Sequence, residues 1–213
     1  MSKVILFQGD SITDGNRLRD NEWDLNHQMG HGYAYIVNGT LGAKYPEKNL
    51  SFVNRGISGN KISDLSARWS NDTLRIKPDI LSILIGINDC EQVRLGGKGS
   101  DAAAFEEIYR TLLDAVRENN PDIKLVLLEP FFLPVGERKE KAEEYFSILT
   151  GYQQATKRVA EDYGAIFIPL QEKFNELSEK YSPEYWCWDG VHPTVCGHQI
   201  VADEWMDKCK NII

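Results

Sequence analysis

Apolar residues fall in short solid runs along this chain, and each run gives way to a longer stretch where they recur every three or four positions. The runs at 4–7, 50–53, 80–85, 123–128 and 165–168 read as strands. Several are apolar nearly throughout, as parallel strands covered on both faces are. The stretches at 33–45, 62–69, 102–119, 140–163 and 195–208 read as helices. Phe105, Ile108, Leu112, Leu113 and Val116 show the helical spacing well, with Asp101 placed to cap that helix and Asn119-Asn120-Pro121 to end it. Strands alternating with helices predict a parallel sheet wrapped on both faces. Right-handed crossovers then bring every strand's C-terminal end to one edge, where open α/β sheets bind ligands.

Four polar motifs lie at or near that edge. Gly9-Asp10-Ser11-Ile12-Thr13 follows the first strand, Asn54-Arg55-Gly56-Ile57-Ser58-Gly59 the second and Gly86-Ile87-Asn88-Asp89 the third. Asp189-Gly190-Val191-His192 precedes the last helix. A serine hydroxyl is a weak nucleophile that needs a base within hydrogen-bond reach, and His192 is the natural base. Asp189 can hold the other ring nitrogen and stabilise the imidazolium. The backbone N–H groups of Ser11 and Gly59 and the side-chain amide of Asn88 are candidate donors to an oxyanion. Each motif has a blander reading by itself: a Ser11 N-cap, Ser-Gly and Asn-Asp turns, and a turn capped by Thr194. Asp10 does not fit an aspartyl-phosphate motif, because Ile12 stands where a second aspartate is needed, and it reads as a buried hydrogen-bonding brace.

Length and composition narrow the classes. At 213 residues, 42% hydrophobic and 26% charged, a single domain spanning 1–213 is expected. The net charge of -8 and the lack of a basic cluster argue against nucleic acid as a partner. No apolar run approaches the roughly 20 residues of a membrane span, so no membrane partner is expected. The N-terminal apolar run is too short for a secretory signal, which points to the cytoplasm. Cys90, Cys187, Cys196 and Cys209 lack metal-type spacing and read as reduced thiols, although Cys187 and Cys196 could in principle meet. His27 and His31 stand four apart, but Gly30 and Gly32 and the missing glutamate argue against a zinc helix. No metal and no cofactor are expected, and a homo-oligomer is plausible on general grounds.

With Ser11, Gly59, Asn88 and His192 in this order, the chain resembles the SGNH hydrolases, also called the GDSL esterase/lipase family. The resemblance runs from Val4 to the helix after His192. It implies a flavodoxin-like three-layer α/β/α sandwich with a central five-stranded parallel sheet, metal-free serine ester hydrolysis, and a triad completed by Asp189. Residues 9–17, 32–35, 54–65, 67–69 and 85–89, with Trp188-Asp189 and Val191-His192-Pro193, are similar to the intracellular acetylxylan esterases of that family. Cys90-Glu91 departs from that likeness, standing where an aromatic residue is expected after the Asn-Asp pair.

The expected activity is therefore removal of O-acetyl groups from carbohydrate, with small acetylated xylo-oligosaccharides as substrate and an acyl-enzyme intermediate. Trp188, Trp23 and Arg55 are candidate substrate contacts, since aromatic faces suit the apolar faces of sugar rings; Trp69 stands beside them, and Arg17 beside Arg55. Core packing and surface ion pairs are their alternatives. The glycine-rich piece at 96–100 reads as a loop beside the site, and His198 as a packing histidine. A thioesterase, lysophospholipase or broad arylesterase is the nearest rival, and a non-catalytic sugar-binding protein a remote one.

Overall fold

The structure, a computed structural model, describes residues 2–19, 27–97 and 99–213. Five parallel strands, β1 (Lys3–Gly9), β2 (Leu50–Asn54), β3 (Ile80–Leu84), β4 (Lys124–Leu128) and β5 (Ile166–Ile168), form one sheet in the order β2-β1-β3-β4-β5. Burial follows position. All five residues of β3 are buried, whereas edge strand β2 buries only Asn54. Ser82 is the polar exception inside β3, and its hydroxyl accepts the Trp205 indole N–H at 3.0 Å, so it is not left unsatisfied.

The helices are α1 (Ser11–Asp14), α2 (Tyr33–Lys44), α3 (Ile62–Trp69), α4 (Ile87–Arg94), α5 (Ala102–Asn119), α6 (Ala142–Asp162), α7 (Leu170–Ser178), α8 (Pro183–Trp186) and α9 (Val195–Cys209). α2 packs with α9, while α3, α5 and α6 pack side by side, giving the helical layers of an α/β/α fold. The chain leaves β1 toward β2 on one side and returns to β3 on the other. The crevice between the ends of β1 and β3 is therefore the switch point where such sheets bind ligands. Ser11 and Asn88 lie just past those two ends.

Each expected strand and helix is present, with ends displaced by a few residues. Asp101 caps α5 through Ala104 N–H at 2.9 Å, and Thr194 caps α9 through Gly197 N–H at 3.2 Å. Residues 140–141 belong to a 3-10 turn, Gly136–Lys141, rather than to α6. Four of the helices, α1, α4, α7 and α8, were not among the five expected, and α1 and α8 are single turns of four residues. α4 is short and polar enough to read as an Asn-Asp turn, and α7 buries only Leu170 and Phe174. All four cysteines are free thiols. Among the described residues no helix is long and apolar enough to cross a membrane.

Candidate active site

β1 ends in a glycine because nothing larger fits. A Cβ on Gly9 would stand 2.3 Å from the Leu84 carbonyl and 2.5 Å from Thr13 Oγ1. The chain then turns into α1, whose N-cap is Asp10, with Oδ1 accepting Ile12 N–H at 3.0 Å. Capping thus falls to Asp10 and not to Ser11, which leaves the Ser11 hydroxyl at the first helical position to meet His192. Asp10 Oδ2 is buried without a partner, and burial raises this carboxyl to about 7.

Ser11 Oγ lies 2.8 Å from His192 Nε2, and His192 Nδ1 lies 2.8 Å from Asp189 Oδ2. An ionised carboxylate only accepts, so Nδ1 carries the proton and Nε2 accepts from the serine hydroxyl. Asp189 Oδ1 accepts the backbone N–H groups of Val191 at 3.0 Å and His192 at 2.7 Å. Burial pushes the Asp189 carboxyl up, but the His192 and backbone hydrogen bonds outweigh it and hold the group well below the ordinary carboxylate range. Asp189 therefore stays charged opposite the ring it orients.

The candidate oxyanion donors are reached from neighbouring turns. Gly59 has φ +81 and open space where a Cβ would be. Its backbone N–H, like that of Ser11, has no hydrogen-bond acceptor among the described residues. Asn88 Nδ2 donates to the Asn60 carbonyl at 3.0 Å, which fixes the amide and leaves its second N–H. Gly59, Asn88 and Gly97 border one depression, so the 96–100 piece does reach the neighbourhood of the site. Asn54 binds this turn to α1: its Nδ2 donates to the carbonyls of Thr13 at 2.7 Å and Met29 at 2.9 Å, and its Oδ1 accepts Gly56 N–H at 2.9 Å.

A cavity of about 570 Å³ opens over the pair, lined among others by Ser11, His192, Arg17, Ser58 and Trp188. Trp188 is 63% exposed, and its ring stacks on His192, centroids 5.4 Å apart and planes at 17°. Arg55 lines neither this cavity nor the one beside Asp189; its carbonyl accepts from Arg68 Nη1 at 2.8 Å. Trp69 is core, its indole N–H donating to the Leu112 carbonyl at 3.0 Å. Trp23 lies outside the described residues. His198 packs under the site, with Nδ1 accepting Tyr33 N–H at 3.2 Å, and burial lowers it to about 4. Among the described residues no cluster of three or more His, Cys, Asp or Glu is placed to hold a metal.

Three further residues brace the site without having been named among the candidate site residues. Asp14 joins α1 to the Ser58 turn, with Oδ2 accepting Ser58 N–H at 2.8 Å. Arg138 donates to Asp189, and Glu91, in place of the expected aromatic residue, accepts from Tyr145. A carboxylate one turn beyond Ser11 is the only signal for Asp14, and nothing in a charged run distinguishes Arg138.

Residues 7–200 match the model of the GDSL-like Lipase/Acylhydrolase family. The chain is 38% identical over 200 residues to an acetylxylan esterase of Geobacillus stearothermophilus, covering 93% of this chain and 90% of that one. The crystal structure of that esterase superimposes with a TM-score of 0.83 at 35% identity, covering 97% and 93% of the two chains. A crystal structure from Parabacteroides merdae, described as GDSL-like lipase, gives a TM-score of 0.90 at 36% identity over 98% and 96%.

Proposed function

The chain belongs to the GDSL-like Lipase/Acylhydrolase family, and from that premise we propose that it is a serine acetylesterase acting on acetylated carbohydrate, xylo-oligosaccharides first. The observation that carries the proposal is the unbroken line from Ser11 through His192 to Asp189, with both contacts at 2.8 Å. His192 takes the Ser11 proton as Oγ attacks the acetyl carbonyl. The N–H groups of Ser11 and Gly59 and the Asn88 amide receive the oxyanion. His192 then protonates the departing sugar oxygen, leaving acetyl-Ser11. Water, deprotonated by the same ring, releases acetate and restores the serine.

The carbohydrate half of the proposal draws on the similarity to an acetylxylan esterase and on Trp188, whose exposed face beside His192 suits an apolar sugar face. Two crystal structures of that esterase carry substitutions described as catalytic, one of a serine and one of an aspartate, in keeping with Ser11 as nucleophile and Asp189 as the partner of His192. A cytoplasmic site of action fits four free cysteines. The test is acetate release from acetylated xylo-oligosaccharides, run beside p-nitrophenyl acetate and octanoate, with Ser11→Ala as control. Ser11-dependent release from the sugars is expected. Faster cleavage of octanoate than of acetate would transfer the assignment to a longer-chain esterase.

A further inference from the structure

Asp189 is held from outside the triad as well as from within. Arg138 Nη1 donates to the Asp189 carbonyl at 2.8 Å and to Oδ2 at 3.2 Å, the same oxygen that accepts from His192. Arg138 comes from the 3-10 turn Gly136–Lys141, a segment separate from the Asp189–His192 loop. The chain leading into that segment is also tied to the loop, where Leu133 N–H donates to the Gly190 carbonyl at 2.9 Å.

The guanidinium is itself braced. Arg138 Nε donates to the Tyr145 hydroxyl at 3.1 Å, and that hydroxyl donates to Glu91 Oε2 at 2.5 Å. Burial and the Glu91 hydrogen bond push the Tyr145 phenol up, so it stays neutral and serves both neighbours. Arg94 completes the chain, with Nε and Nη2 on the two Glu91 oxygens at 2.8 and 3.1 Å. The Tyr145 ring stacks on Phe132, centroids 4.3 Å apart and planes at 6°. Glu91, Arg94, Arg138 and Tyr145 line a recess of about 400 Å³ together with Trp188 and Asp189.

Resting on the serine-esterase reading above, we propose that Arg138 is a positioning residue that aims the Asp189 carboxylate at His192 from a segment outside the Asp189–His192 loop. With Nη1 on both the Asp189 carbonyl and Oδ2, the carboxylate cannot turn away from the ring without breaking a charge-assisted hydrogen bond. Among the described residues, Arg138 is the only arginine or lysine in an ion pair with Asp189.

The experiment compares wild type, Arg138→Gln, Arg138→Lys and Tyr145→Phe, reading kcat and KM separately with p-nitrophenyl acetate. The downfield proton NMR signal of the His192–Asp189 hydrogen bond is followed alongside at one pH. In Arg138→Gln kcat should fall by about 10- to 100-fold with a smaller change in KM, and the downfield signal should weaken. Arg138→Lys should recover most of the loss, and Tyr145→Phe should show a smaller loss in the same direction. An unchanged kcat in a folded Arg138→Gln, or an equal loss in Arg138→Lys, overturns the proposal. Should Arg138→Gln fail to fold, Tyr145→Phe decides by the same criterion. Should no form cleave any ester, the esterase reading falls, while the strength of the downfield signal still tests Arg138 by its order among the four proteins.

Discussion

Asp14 Oδ2 accepts the Ser58 backbone N–H at 2.8 Å, so the helix that begins with Ser11 and the turn that ends in Gly59 share one latch. The same carboxylate accepts Arg17 N–H at 3.1 Å and Arg19 Nη2 at 3.0 Å. The proposed nucleophile and oxyanion donor are thereby held at a fixed separation. Asp14→Ala should lower kcat by about 10- to 100-fold with a smaller change in KM, because small misplacements at a reacting centre cost that much. Steady-state kinetics with p-nitrophenyl acetate would show it, and an unchanged kcat would mean the turn is held by Asn54 alone.

Ser11→Ala should cut ester hydrolysis by at least about 10⁴-fold while leaving the thermal midpoint close to wild type. The hydroxyl removed makes one hydrogen bond, to His192. Acetate release at matched protein concentration is the measurement, and residual turnover near wild type would eliminate Ser11 as nucleophile.

Asp189→Asn should lower kcat by roughly 10³- to 10⁴-fold, since an amide facing His192 Nδ1 permits the wrong tautomer. The two backbone N–H groups on Oδ1 keep an acceptor in the variant, so the loop should stay in place. A normal rate would show that another carboxylate supports the ring.

Asp10 ties the site to a pH-dependent stability. Its folded-state value of about 7 exceeds the ordinary 3.8, so the native chain retains a proton that the unfolded chain has already released. Stability therefore falls as pH rises from about 4 to 7. In Asp10→Asn that slope should flatten by an amount on the order of a few kcal/mol between pH 4.5 and 8, read by urea unfolding at the two pH values. The slope from Asp89, raised to about 7 by its own burial, would remain. Parallel wild-type and variant curves would place a charged Asp10 in the native state at pH 4.5.

His198 works in the opposite sense. Its folded value of about 4 lies below the ordinary 6.5, so protons favour the unfolded chain between those limits and stability is lost as pH falls from 6.5 toward 4. His198→Gln, which keeps an acceptor for Tyr33 N–H, should be relatively more stable at pH 5 than at pH 8 by about 1–2 kcal/mol. Thermal melts at both pH values measure it, and a difference independent of pH would count against a neutral buried imidazole.

Most of the sheet could be read in the chain because parallel central strands need apolar side chains on both faces, and Ile80 to Leu84 show that need almost without interruption. Ser11, Gly59, Asn88 and His192 stood out because each follows a strand or precedes a helix at the same edge. Arg138 did not. In Gly136–Lys141 every residue after the glycine is charged, and only tertiary packing selects the one that meets Asp189. Helix α4 was hidden for a related reason, since it buries Ile87, Asp89 and Cys90 in a single turn and shows no apolar stripe. Arg55 was chosen for its place beside a motif, yet Arg17 and Arg19 are the arginines that line the cavity over Ser11.

The contact between Ser11 and His192 joins residues 181 positions apart. During synthesis the serine leaves the ribosome long before the imidazole it meets. On the proposed mechanism a nascent chain thus carries its nucleophile unarmed until that loop emerges, and a chain stopped anywhere before residue 192 should stay chemically silent, however much of the sheet it has formed.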